Sequence, residues 1–167
     1  MDVSYTTEKD WVTRAGLRAV CLFANNSHRC GYVAVDKSHP LYGMEYSTDC
    51  KVLKQRLKEI QDGPVGKRGI VSLFCWDGKT ASPDIVFDVH GGLTYSGGKG
   101  DYPAAGDDLW WFGFDCAHSG DRTKYHNGDY SEGEERTLEY VEQECESLTE
   151  QLAAITPEIH DGKVGGE

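Results

Sequence analysis

The chain has 167 residues, with 28 Asp or Glu against 17 Lys or Arg and a formal net charge of −11. Its length suits one domain that buries about two-thirds of the surface an unfolded chain exposes, and its acidity disfavours direct binding to DNA, RNA or anionic membranes. Four Trp, nine Tyr and five Phe supply large core side chains and argue against disorder, while the roughly 20-residue apolar run needed to span a bilayer is missing.

The N-terminal MDVSYTTEKDW lacks the basic-then-apolar order of a signal peptide, and the six cysteines at 21, 30, 50, 75, 116 and 145 form no CxxC pair. A cytoplasmic protein with free thiols is expected. LRAVCLFA at 17–24 and CGYVAV at 30–35, joined by the polar NNSHR, predict an antiparallel hairpin. Pro40 and Gly43 mark a loop, after which Leu53, Leu57 and Ile60 predict a short helix over 49–61. Strand character resumes in GIVSLFCW at 69–76, and the turn Asp77-Gly78 suggests a second hairpin into DIVFDV at 84–89. LWWFGFD at 109–115 reads as a further strand, with Gly-rich loops at 97–108 and 127–135. Leu138, Val141, Cys145, Leu148, Leu152 and Ile155 recur at spacings of three and four, which predicts a long amphipathic helix that stops before Pro157. The fold class is α+β: a mainly antiparallel sheet packed by that C-terminal helix and one shorter helix, a single domain over 1–157 with a mobile tail at 158–167.

The two strands at 85–90 and 109–115 both run into polar clusters, and there the chemistry concentrates. Alternation places Ile85, Phe87 and Val89 on one face of the first strand and Val86, Asp88 and His90 on the other. In the second, Trp111, Gly113 and Asp115 oppose Trp110, Phe112, Phe114 and Cys116, and the chain then presents His118 and Asp121 from a turn. If the strands are neighbours, these groups converge.

Three functional readings compete. Asp88, His90, Asp115, His118 and Asp121 contain enough imidazole and carboxylate to hold a divalent metal such as zinc, manganese or iron, although neither HExxH nor a two-cysteine pattern supports it. Alternatively, His90 or His118 moves a proton while Asp88 or Asp115 orients the ring, so His90, His118 and Asp115 are the catalytic candidates. In the third reading the site recognises a small-molecule or nucleotide ligand. Asp88, His90, Asp115, His118 and Asp121 line it, Gly91 and Gly92 admit close backbone approach, Thr94 and Tyr95 offer hydroxyls, and Trp110 or Trp111 supplies a stacking ring. The acidic balance opposes phosphate unless Lys99, Arg122 or Lys124 is brought close, and GxxxxGK[ST] is absent.

A structural alternative stands beside these: buried Asp and His often fix loops through backbone amides, and the glycines serve turns. His28 and His39 are expected in solvated turns, and Trp11 and Trp76 in the core. Cys116 as a nucleophile paired with His118 is a minority reading, because the adjacent Asp115 raises a thiol pKa.

At the same motifs the chain resembles a family of small bacteriophage proteins without an assigned activity. The resemblance is carried by HRCGYVAV at 28–35, HPLYG at 39–43, DVHGGLTYSG at 88–97, WWFGFDCAHSGD at 110–121 and the terminal helix TLEYVEQECESLTEQL. It covers most of the chain and transfers no catalytic role. It implies a phage origin, action in the bacterial host cytoplasm and, by association with phage accessory proteins of this size, antagonism of host antiviral defence. One version binds or degrades a small nucleotide-like ligand. The other uses an acidic surface, such as residues 132–146, to block a basic host defence protein, a nuclease or a CRISPR effector. A phage housekeeping role and a metal-dependent hydrolase remain further alternatives.

Overall fold

The computed structural model describes residues 4–61, 79–98, 102–104 and 108–156. Its first long-range feature is a three-stranded meander: β1 (Tyr5–Val12), β2 (Arg18–Ala24) and β3 (His28–Asp36). β2 and β3 form the predicted hairpin, with Ala24 opposite His28. Asn25 and Asn26 take φ of 54° and 53°, the mirror-image turn whose twist matches the strands and which Asn tolerates better than most residues. α1 (Lys51–Gln61) follows, then a single-turn α2 (Pro83–Val86), β4 (Tyr95–Gly98), β5 (Leu109–Asp115) and α3 (Leu138–Ala154). The five strands form one antiparallel sheet in the order β1-β2-β3-β5-β4. The α+β class follows directly, and no helix among the described residues is long and apolar enough to cross a membrane.

Strand alternation divides the core as expected. Ala19, Cys21, Val33, Val35, Phe112 and Phe114 face the helices and pack with Leu53, Leu57, Val141, Cys145, Leu148 and Leu152. Val20, Leu22, Cys30, Tyr32 and Trp111 face the other way and meet Tyr95 and Tyr102. Gly31 lets α3 approach the sheet: a Cβ there would stand 2.5 Å from Phe114 Cε1 and 3.0 Å from Cys145 Sγ. α3 begins where Thr137 Oγ1 accepts the Tyr140 N–H at 3.2 Å, an N-cap that contributes about 1 kcal/mol. Cys21, Cys30, Cys50, Cys116 and Cys145 are free and buried.

Four expectations need correction or addition. DIVFDV is not a strand. Ser82-Pro83-Asp84 is a helix-start sequence, Pro83 sits in the first turn, and the segment coils once before running on extended. Ile85 is therefore 60% exposed while the consecutive Val86 and Phe87 are both buried, which breaks the supposed alternation. β4, the true neighbour of β5, is instead the short edge YSGG. β1 went unread because it is an edge with few apolar residues; it is tied to α3 by a Lys9–Glu142 ion pair and by Trp11 Nε1 donating to Glu146 at 3.0 Å. His39 is buried rather than solvated. Its Nε2 donates to the Leu152 carbonyl at 2.8 Å and its Nδ1 accepts the Leu41 N–H at 3.1 Å. The predicted strand at 69–76, its turn, Trp76 and the tail at 158–167 lie outside the described residues.

Candidate functional site

The extended stretch after α2 is held by side chains of α3 in place of a neighbouring strand. Gln151 accepts the Asp88 N–H and donates to the Asp88 carbonyl, both at 2.8 Å, and Glu144 accepts the His90 N–H at 2.7 Å. This leaves the Asp88 side chain exposed and apart from the other candidates. His90 is turned inward to the first turns of α3. Its Nε2 lies 2.9 Å from both oxygens of Asp121, and its Nδ1 lies 2.8 Å from the Tyr140 hydroxyl. A carboxylate only accepts, so Nε2 carries the proton, and in the neutral ring Nδ1 then accepts from Tyr140.

Asp121 is the hub. Besides His90 it accepts Arg136 Nε at 2.7 Å and the His118 N–H at 3.0 Å, all while buried. Burial alone would raise its pKa, but these hydrogen bonds outweigh it and hold the carboxyl below its ordinary value. His118 stands over the chain reversal at Gly91. A Cβ at position 91 would sit 2.5 Å from His118 Nδ1, and φ there is +69°, so glycine is required on both counts. That Nδ1 is 3.4 Å from Asp115 Oδ1 and 3.7 Å from Asp121 Oδ2, buried from solvent and without a hydrogen bond. Asp115 itself accepts the Ala117 N–H at 3.1 Å and the Thr94 hydroxyl at 3.3 Å. His90, Asp115, His118 and Asp121 are thus brought together, with Thr94 and Gly91 at their edge.

Gly92 also takes positive φ, but open space surrounds it. Trp111 and Tyr95 belong to the opposite face of the sheet: Trp111 is buried there under Arg18, and Tyr95 packs against Tyr32 and Tyr102. Trp110 donates to the Met44 carbonyl at 2.9 Å and packs against the main core. Cys116 is buried and its thiol pKa is pushed well up, first by desolvation and then by Asp121, which disfavours a thiolate nucleophile.

Sequence reading missed Arg136, Tyr140, Glu144 and Gln151. A signal existed: Tyr140, Glu144 and Gln151 recur at intervals of four and seven along one line of α3, a polar stripe beside the apolar one, and Arg136 immediately precedes the N-cap Thr137. Next to the cluster, an open cleft of about 560 Å³ is lined by Phe23, Ser27, His28, Arg29, Cys116, Arg122, Tyr130, Glu135 and Arg136. Arg29 pairs with Glu8 and Glu135, and Arg136 with Asp121 and Glu134. Arg122 lies 4.6 Å and Lys124 6.0 Å from the centre of the Tyr130 ring, and among the described residues neither has a carboxylate within ion-pair distance. His28 also lines a second hollow with Tyr5, Tyr32, Thr94, Tyr95, Tyr102 and Asp115. Desolvation lowers the pKa of His28 despite nearby Asp115 and Asp121. Comparison with protein-family models, with curated proteins and with solved structures finds no match to this chain.

Proposed function

We propose that the protein binds a small phosphate-bearing, nucleotide-like ligand at this end of the sheet. The observation that carries the reading is the pair Arg122 and Lys124: two cations without carboxylate partners among the described residues that share the ring of Tyr130, which lines the cleft with Arg122, Arg29 and Arg136. In a chain of net charge −11, the two uncompensated cations Arg122 and Lys124 run against the overall charge and suit an anion. Two of the three cations that the sequence offered for phosphate are Arg122 and Lys124; Lys99 lies outside the described residues. His28 supports the nucleotide class, because it lines both this cleft and the hollow of Tyr5, Tyr32, Tyr95 and Tyr102, whose aromatic edges and hydroxyls suit a base or sugar. In the phage setting that the resemblance implies, such binding would withdraw a nucleotide signal from host defence.

Of the acids in the competing protein-blocking surface at 132–146, Glu132, Glu134, Glu135 and Glu139 are exposed and three others are used within the fold. Glu142, Glu144 and Glu146 are engaged internally with Lys9, the His90 N–H, and Trp11 with Arg14. Isothermal titration with mononucleotides, dinucleotides and inorganic phosphate tests the ligand reading. Saturable binding that weakens about tenfold or more in Arg122→Ala, as loss of a charge-assisted hydrogen bond implies, is expected. Absence of binding across the panel, or binding indifferent to Arg122→Ala, would count against it.

A further inference from the structure

We infer that His90, His118 and Asp121 form a binding site for a divalent transition-metal ion. Nitrogen atoms from the two rings and an oxygen of the carboxylate lie within 4.8 Å of one another. Two imidazoles and one carboxylate on one side of an ion, with the remaining positions open, are a donor set that suits iron, manganese or zinc.

The observation that separates this from an ordinary buried ion pair is His118 Nδ1. It is shut off from solvent, has no hydrogen-bond partner, and stands beside the carboxylates of Asp115 and Asp121. Buried ring nitrogens are ordinarily satisfied, as His39 is in this same molecule. A cation among His90 Nε2, His118 Nδ1 and Asp121 supplies the absent partner. The glycine at 91 makes the arrangement sterically accessible, since any Cβ there would displace the His118 ring.

The surroundings supply the support that metal ligands require. When His90 Nε2 donates its lone pair to a cation, its proton resides on Nδ1, 2.8 Å from the Tyr140 oxygen, so the hydrogen bond reverses without movement of the ring. Arg136 Nε holds Asp121 Oδ1 at 2.7 Å and the His118 N–H holds Oδ2 at 3.0 Å, which fixes the carboxylate. Asp115 Oδ1, 3.4 Å from His118 Nδ1, is a further oxygen within reach of the site. This site is independent of the Arg122 cleft and is tested without any nucleotide.

The test is titration of chelator-treated protein with Co(II), followed by visible absorption and thermal shift, for wild type, His118→Ala and Asp121→Asn. His118→Ala is the informative variant, since among the described residues its ring makes no hydrogen bond that would be lost. One equivalent should bind to wild type with d–d bands of nitrogen and oxygen ligation and a raised melting temperature. His118→Ala, with an unchanged melting temperature in the absence of metal, should lose at least tenfold in affinity; Asp121→Asn, where it folds, should lose as much. Failure of wild type to bind below millimolar Co(II), retention of wild-type affinity in His118→Ala, or a thiolate-to-cobalt charge-transfer band that places the ion on cysteine would each overturn the inference.

Discussion

The two ends of α3 each hold a histidine out of solvent, and they do so in opposite ways. Near the C-terminal end, His39 is closed off by main-chain groups, with Leu41 N–H on one nitrogen and the Leu152 carbonyl on the other. Near the N-terminal end, His90 is held by side chains, Asp121 and Tyr140, and its neighbour His118 keeps one nitrogen unused. Backbone satisfaction produces a fixture that joins the 36–42 turn to the helix. Side-chain satisfaction produces an ordered set of donors and acceptors beside an open cleft, which is where a ligand can be exchanged for an internal contact.

This contrast can be broken most forcefully at Asp121. Asp121→Ala strands His90 Nε2, Arg136 Nε and the His118 N–H, and should cost about 3 kcal/mol in urea unfolding. A cost near zero would mean that the hub does not hold the loop. His39→Ala leaves the Leu41 N–H and Leu152 carbonyl unpaired and opens a cavity, for about 2 kcal/mol by the same measurement. Tyr140→Phe removes one hydrogen bond to His90 and should cost about 1 kcal/mol. His118→Ala should change stability by less than about 0.5 kcal/mol, because its side chain is 36% exposed and its buried nitrogen has no bond to lose. If His118→Ala proved as costly as His39→Ala, both ends would be fixtures and the contrast would fail.

Acid sharpens the same comparison. Burial lowers the folded-state pKa of His39, only partly offset by its bond to Leu152 and by Asp36, so the fold favours the neutral ring. The unfolded chain then binds more protons just below the ordinary histidine value of about 6.5, and the stability due to His39 is present above that pH. It is lost as pH falls from there toward the depressed folded value. Melting temperature should therefore decline from pH 7 to pH 5, and less steeply in His39→Asn. His28, also depressed by burial, contributes in the same direction, so the slope should diminish without vanishing.

What the sequence made legible was whatever periodicity samples directly. The stripe Val141, Cys145, Leu148, Leu152 recurs at the helical spacing and is buried along its length. LWWFGFD is a continuous apolar run and is a central strand buried on both faces. Residues 85–90 were misread because F-D-V-H alternates, while Ser82-Pro83, just upstream, carried the helix start. Their real tether is to Gln151 and Glu144, 63 and 54 positions away, and no local pattern encodes such a pairing. For the site, the polar residues at the chain reversals were readable as a set, and four of the five acids and histidines named for a metal do meet. Asp88 fell away with the strand that was supposed to present it. Tyr140 lies on a polar line beside the apolar stripe of α3 and Arg136 lies before its N-cap, so neither falls on the periodicity that marks the core.

The most direct test of a nucleotide-like ligand at the N-terminal end of α3 follows the ring resonances of the histidines by NMR during titration with adenosine diphosphate, with His39 as the internal control. The account predicts a saturable shift of His28, which lines both the cleft and the tyrosine hollow, with His39 unmoved. Static His28 resonances through the titration, or equal shifts at His28 and His39, would contradict it.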